Sequence, residues 1–177
     1  RQKRRLNQVR AGQKRLLSDP AQLAGITAAV RYQPALEAGG DFYEIMKLSD
    51  DSFGFFVADV SGHDLSIAYL TGALKALCAG FVCDNLSVEE TAVLLNASLR
   101  RFLDPGRFAT AFYVKFCRST MTLDAVCAGH PSPLLQPVNG AEYYLDLTGH
   151  LLGVVETVTC QSTSVGVQRG DRMFLYT

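Results

Sequence analysis

Asp41 and Asp59 are the residues of this chain best placed to do chemistry. Asp41 closes Gly39-Gly40-Asp41-Phe42-Tyr43, and Asp59 opens Asp59-Val60-Ser61-Gly62-His63 at the end of the apolar run Phe53 to Ala58. The residues between them read as a hairpin: Phe42 to Leu48, a turn at Ser49-Asp50-Asp51-Ser52, then Phe53 to Ala58. Pairing Leu48 with Phe53 across that turn brings Asp41 within about one position of Asp59. Two carboxylates held side by side repel each other and call for a proton or a cation between them. A hard divalent cation with oxygen ligands is the natural partner, and glycines beside each aspartate let backbone approach a ligand closely. The competing structural reading is that both are turn residues only, since Gly-Gly-Asp and Asp-x-Ser-Gly are also good turn chemistry.

The elements that would position this pair can be read on either side of it. Ile26 to Tyr32 is expected to form a strand ahead of the hairpin. Leu65 to Val82 reads as a largely buried helix of small and apolar residues. A second helix starts at a capping box, Ser87 with Glu90, and gathers Val88, Thr91, Ala92, Leu95, Leu99 and Phe102 on one face. Asp104-Pro105-Gly106 ends it. Strands are expected at Phe108–Cys117, Thr122–Ala128, Glu142–Leu147, Val158–Val165 and Arg172–Tyr176. Strands before and after a central helix pair favour a mixed α+β fold with antiparallel sheets over alternating βαβ units.

The N-terminal arm differs from the rest. Residues 1–17 carry seven basic side chains and no acidic ones, which leaves ten basic against 17 acidic residues beyond the arm. Leu6, Val9, Gln13 and Leu16 form a seam at heptad spacing. This is either a helix packed on the following domain or, as we favour, the tail of a longer signalling helix stopped at Ser18-Asp19-Pro20. Such a helix could pair with a second copy of the chain. Residues 1–18 are therefore assigned to a basic helical linker and 19–177 to the domain proper.

Composition removes several classes. At 177 residues, with 48% hydrophobic and 19% charged content, the chain fits one domain with a sizeable core. No apolar run nears the roughly 20 residues that span a bilayer, and no signal-peptide core follows the charged start, so no membrane partner and a cytoplasmic location are expected. The basic arm lacks interleaved aromatics and tryptophan is absent, which argues against nucleic acid. The five cysteines have no Cys-x-x-Cys spacing and read as small core residues. Ser61 with His63 lacks the Gly-x-Ser-x-Gly elbow of a serine hydrolase. Three histidines and scattered cysteines make a zinc site of nitrogen and sulfur ligands a poor reading.

The strings Ala38-Gly39-Gly40-Asp41-Phe42-Tyr43-Glu44 and Ala58-Asp59-Val60-Ser61-Gly62-His63 are followed, in order, by four more: Arg107 to Phe112, Ala128 to Leu135, Gly149 to Val154 and Gly170 to Thr177. Together they resemble the bacterial SpoIIE-type branch of the metal-dependent (type 2C, PPM) protein phosphatases, from about Arg31 to Thr177. The resemblance implies a four-layer αββα sandwich. It implies two manganese or magnesium ions that share a bridging water and activate it for in-line attack on a phosphoserine or phosphothreonine. Carried over residue by residue, Asp41 and Asp59 match metal ligands, with Asp59 bridging both ions, and the carbonyl of Val60 matches a third. His63 and Asp64 fall near the site, and His130, which matches a signature of the family, is either near the cleft or a histidine hydrogen-bonded inside its turn.

Two departures stand out. Family members continue past the Leu-Tyr-Thr strand with Asp-Gly and a later acidic ligand, so the chain is expected to be cut short of the complete domain, with its second metal site incomplete. Asp64 stands where the family has Gly, either capping the helix from about Leu65 or adding a carboxylate near the metals. The implied substrate is a phosphoprotein such as an anti-sigma-factor antagonist, and the implied neighbour an upstream receiver or sensor domain. The alternative is a degenerate effector domain of a response regulator that binds a sigma factor or its regulators without catalysis. The retained aspartate pair weighs against that.

Overall fold

The phenylalanine-rich hairpin in the first third of the chain builds the edge of the main sheet. The computed structural model describes residues 11–20, 26–33, 39–62 and 66–177. Strands β1 (Asp41–Lys47) and β2 (Ser52–Val60) pair antiparallel, followed in the sheet by β3 (Ala109–Cys117), β4 (Thr122–Ala128) and β7 (Ser162–Gly166), in the order β1-β2-β3-β4-β7. A smaller sheet has the order β6-β5-β8, from β5 (Leu134–Gln136), β6 (Tyr143–Tyr144) and β8 (Arg172–Phe174). Residues 11–16 are helical (α1), and the two long helices are α2 (Ile67–Phe81) and α3 (Val88–Phe102).

Strand alternation sorts the core into two layers. Ala109, Ala111 and Tyr113 of β3 pack with Leu70, Leu74, Cys78, Leu95 and Leu99 of the helices. Phe112 and Val114 point the other way, into a cluster with Leu135 of β5, Leu145, the half-buried Met173 of β8 and Leu175 just beyond it. The described residues thus form helix, sheet and sheet layers of an α+β sandwich. Helix α3 begins as its capping box dictates: Ser87 Oγ accepts from Glu90 N at 3.1 Å, and Glu90 Oε2 accepts from Ser87 N at 2.7 Å.

Several expectations are corrected. Residues 26–33 form no strand, having no paired neighbour among the described residues; Tyr32 instead packs on Tyr43, ring centroids 6.3 Å apart. The expected Glu142–Leu147 strand shrinks to Tyr143–Tyr144, both exposed, and Val158–Val165 shifts to Ser162–Gly166. β5 was not expected, because prolines at 131, 133 and 137 bracket it. Phe102 does not join the buried face of α3; it is 55% exposed. Helix α2 begins at Ile67 behind Ser66, which makes no side-chain cap. His63, Asp64, Leu6 and Val9 lie outside the described residues.

Candidate metal centre

The hairpin closes one residue tighter than a Leu48–Phe53 pairing: Lys47 faces Phe53, and Asp41 faces Asp59 directly. The turn is tight because Ser49 Oγ accepts from the backbone of Ser52 at 3.1 Å. Directly opposed antiparallel residues share a face, with Cβ atoms about 4.5–5.5 Å apart. The face is the one turned toward the second sheet, since Asp59 alternates with the inward Ala58 and Val60 and also faces Thr110 on β3. The two carboxylates therefore stand together at the end of the cleft between the sheets.

The electrostatics of Asp59 agree. The Asp59 carboxyl is pushed above its ordinary value, first by partial desolvation and then by the Asp41 charge. Repulsion of this kind is relieved by a bound cation.

Gly40 supplies the third component. Val60 N donates to Gly40 O at 3.0 Å. Among the described residues no bond returns from Gly40 N to Val60 O. A Cβ on residue 40 would collide with that carbonyl oxygen and come within 2.6 Å of Asp59 Oδ1. Glycine is needed here for this close approach. Two carboxylates and a carbonyl oxygen with no hydrogen-bond partner among the described residues fit a hard divalent cation. Among the described residues no group of three His, Cys, Asp or Glu side chains converges.

His130 is brought near but is occupied. It is buried, and the Tyr176 carbonyl can only accept, so Nε2 donates to it at 3.0 Å and Nδ1 accepts from Thr110 Oγ1 at 2.8 Å. Burial holds its pKa below the ordinary 6.5, against smaller upward pulls from the Tyr176 carbonyl and the Asp41 charge. The ring ties the strand opposite Asp59 to the end of the second sheet.

Two contributors were not expected from the sequence. Gln13, assigned only to a helical seam, is buried: Nε2 donates to Gly39 O and to Thr71 Oγ1, each at 3.1 Å, and Oε1 accepts from Gly39 N at 3.4 Å. It fixes the backbone leading into Gly40 and Asp41 against α2. Glu44, buried at 4% exposure, accepts from Ser18 Oγ and pairs with Lys75 of α2. A buried polar residue in an amphipathic seam is the only signal that could have marked Gln13.

A two-sheet sandwich with an aspartate pair at the end of its cleft defines the class of type 2C phosphatase folds. The SiaA-PP2C domain of Pseudomonas aeruginosa superposes with a TM-score of 0.80 at 18% identity, over 95% of this chain and 68% of that one. RsbX in complex with magnesium gives 0.64 at 18% identity, over 76% and 64%. The SpoIIE phosphatase domain of Bacillus subtilis gives 0.62 at 12%, over 76% and 39%. The sequence profile of Stage II sporulation protein E (SpoIIE) matches residues 49–177, and the chain belongs to that family. It is also 28% identical to the phosphoserine phosphatase RsbP of Bacillus subtilis (strain 168) over 179 residues, covering 99% of this chain and 44% of that protein's length. No described helix is long and apolar enough to cross a membrane.

Proposed function

We propose that this chain is the catalytic domain of a cytoplasmic bacterial signalling protein, a metal-dependent phosphatase acting on phosphoserine or phosphothreonine of a partner protein such as an anti-sigma-factor antagonist. The observation that carries it is the direct pairing of Asp41 with Asp59 on the cleft face, beside the carbonyl of Val60. Asp41, Asp59 and Val60 would hold the cation, Gly40 admits it by lacking a Cβ, and Gln13 fixes the backbone before Asp41. Bound manganese or magnesium would supply Lewis-acid polarisation of the phosphoryl group and nucleophile activation. Kinship with RsbP supports a phosphoserine substrate, and RsbX in complex with magnesium supports a divalent ion. Residues 1–18 would link the domain to an upstream sensor or receiver. The paired carboxylates favour this reading over a non-catalytic effector, which would have no use for their repulsion.

The test is phosphate release from a serine-phosphorylated anti-sigma-factor antagonist with manganese present, with Asp59→Ala as control. Release by the wild type alone supports the proposal. A protein that binds manganese yet leaves such substrates phosphorylated would refute it.

A further inference from the structure

The hydroxyl of Ser61, next in sequence to the proposed carbonyl ligand, has no place in the chemistry described so far. Its neighbours assign it one. The β2–β3 ladder ends at Val60 facing Ala109, and one step further Ser61 faces Phe108. Ser61 N donates to Phe108 O at 2.9 Å, as the ladder requires. The return bond is different: Phe108 N donates at 2.8 Å to Ser61 Oγ instead of to the Ser61 carbonyl. The side chain takes over the role of the main chain, which lets the backbone leave the sheet after a single ladder bond. The released Ser61 carbonyl accepts from Arg107 Nη1 at 3.2 Å, and the chain turns at Gly62, whose φ of +118° suits glycine. The Arg107 guanidinium lies against Gly62, and a Cβ there would have to displace it.

The consequence falls on Val60. Its carbonyl and the Ser61 N–H belong to one planar peptide group and point in opposite directions. Fixing Ser61 N–H on Phe108 therefore aims the Val60 oxygen away from β3, toward Gly40 and the aspartates. Without the Oγ bond, one point fewer holds that plane. From this geometry we infer that Ser61 and Arg107 are positioning residues that set the Val60 carbonyl as a metal ligand. The inference rests on the proposed site, in which Val60 O coordinates the cation.

Manganese affinity, measured by calorimetry on the full chain, tests it. Ser61→Ala is expected to weaken binding about two- to tenfold, because metal binding must then order a peptide plane that the lost bond no longer holds, at about the net worth of one hydrogen bond, while Ser61→Thr, which keeps the hydroxyl, stays within about twofold. Arg107→Gln gives a second readout with a decisive sign. Removing a positive charge near a cation site should strengthen binding if charge alone matters, whereas loss of positioning weakens it. Thr91→Ala is the stability control: it deletes a hydroxyl bonded to Ser87 O at 2.8 Å on α3 and should lower the melting temperature without changing manganese affinity. Wild-type affinity in folded Ser61→Ala, or tighter binding in Arg107→Gln, overturns the inference while leaving the site intact. If the wild type binds no manganese, or Asp59→Ala binds as well as wild type, the site itself fails and the inference with it.

Discussion

Gly40→Ala separates a close approach from backbone strain. Gly40 has no positive φ, so alanine can adopt its conformation, and the added methyl is the whole perturbation. That methyl meets the Val60 carbonyl oxygen and lies 2.6 Å from Asp59 Oδ1. The carboxylate can rotate away. The carbonyl cannot, because Val60 N is bonded to Gly40 O at 3.0 Å and Ser61 N to Phe108 O at 2.9 Å. Backbone must move, and overpacking of this kind costs about 1–3 kcal/mol. For a domain of this size that lowers the melting temperature by roughly 2–12 °C. Displacing the carbonyl from its aim should also weaken manganese at least about tenfold, or 1.4 kcal/mol. Scanning calorimetry with and without manganese reads both effects. Gly80→Ala on α2 is the comparison, since a Cβ there meets nothing within 4 Å and should stabilise by about 0.5–1 kcal/mol. Manganese affinity unchanged in Gly40→Ala would refute the reasoning.

Two further substitutions probe the frame around the site. Buried Asn96 joins α3 to the loop after β6, donating to Val155 O at 3.0 Å and Glu156 O at 3.3 Å and accepting from Gly153 N at 2.9 Å. Asn96→Leu strands those backbone groups and should cost about 3 kcal/mol in urea unfolding, and a loss below about 1 kcal/mol would contradict the assignment. His130 has a folded pKa held below its ordinary 6.5 by burial, so the unfolded chain binds more protons in the window just under that value. Its contribution to stability is therefore present above 6.5 and is lost as the pH falls through the depressed folded value. Denaturant titrations on metal-free protein either side of 6.5 should show this slope, and His130→Gln should flatten it; equal slopes would contradict the burial argument.

What the sequence disclosed was local. The hairpin could be registered to within one residue because a polar turn separates two runs rich in phenylalanine, and Ser87 with Glu90 marks the start of α3 by its own chemistry. The second sheet was largely hidden: three residues of β5 among prolines and two exposed tyrosines in β6 carry no alternation to detect. Phe102 was misplaced because helical periodicity cannot tell where the covering sheet ends. The aspartate pair was legible, its spacing being fixed by one short turn. The groups that hold the pair in place were not, since Gln13 meets Gly39 and Thr71, and His130 meets Tyr176, from distant parts of the chain. Ser61 was weighed as a nucleophile and set aside; its role emerges only once Phe108 and Arg107 are seen beside it.

The central claim is that Asp41 and Asp59, with the Val60 carbonyl, share a divalent cation. Anomalous diffraction at the manganese edge, from crystals grown with manganese, tests it most directly. The account predicts a peak between the two carboxylates within about 2.0–2.6 Å of their oxygens and of Val60 O. A peak elsewhere, or none with the carboxylates turned apart, would contradict it.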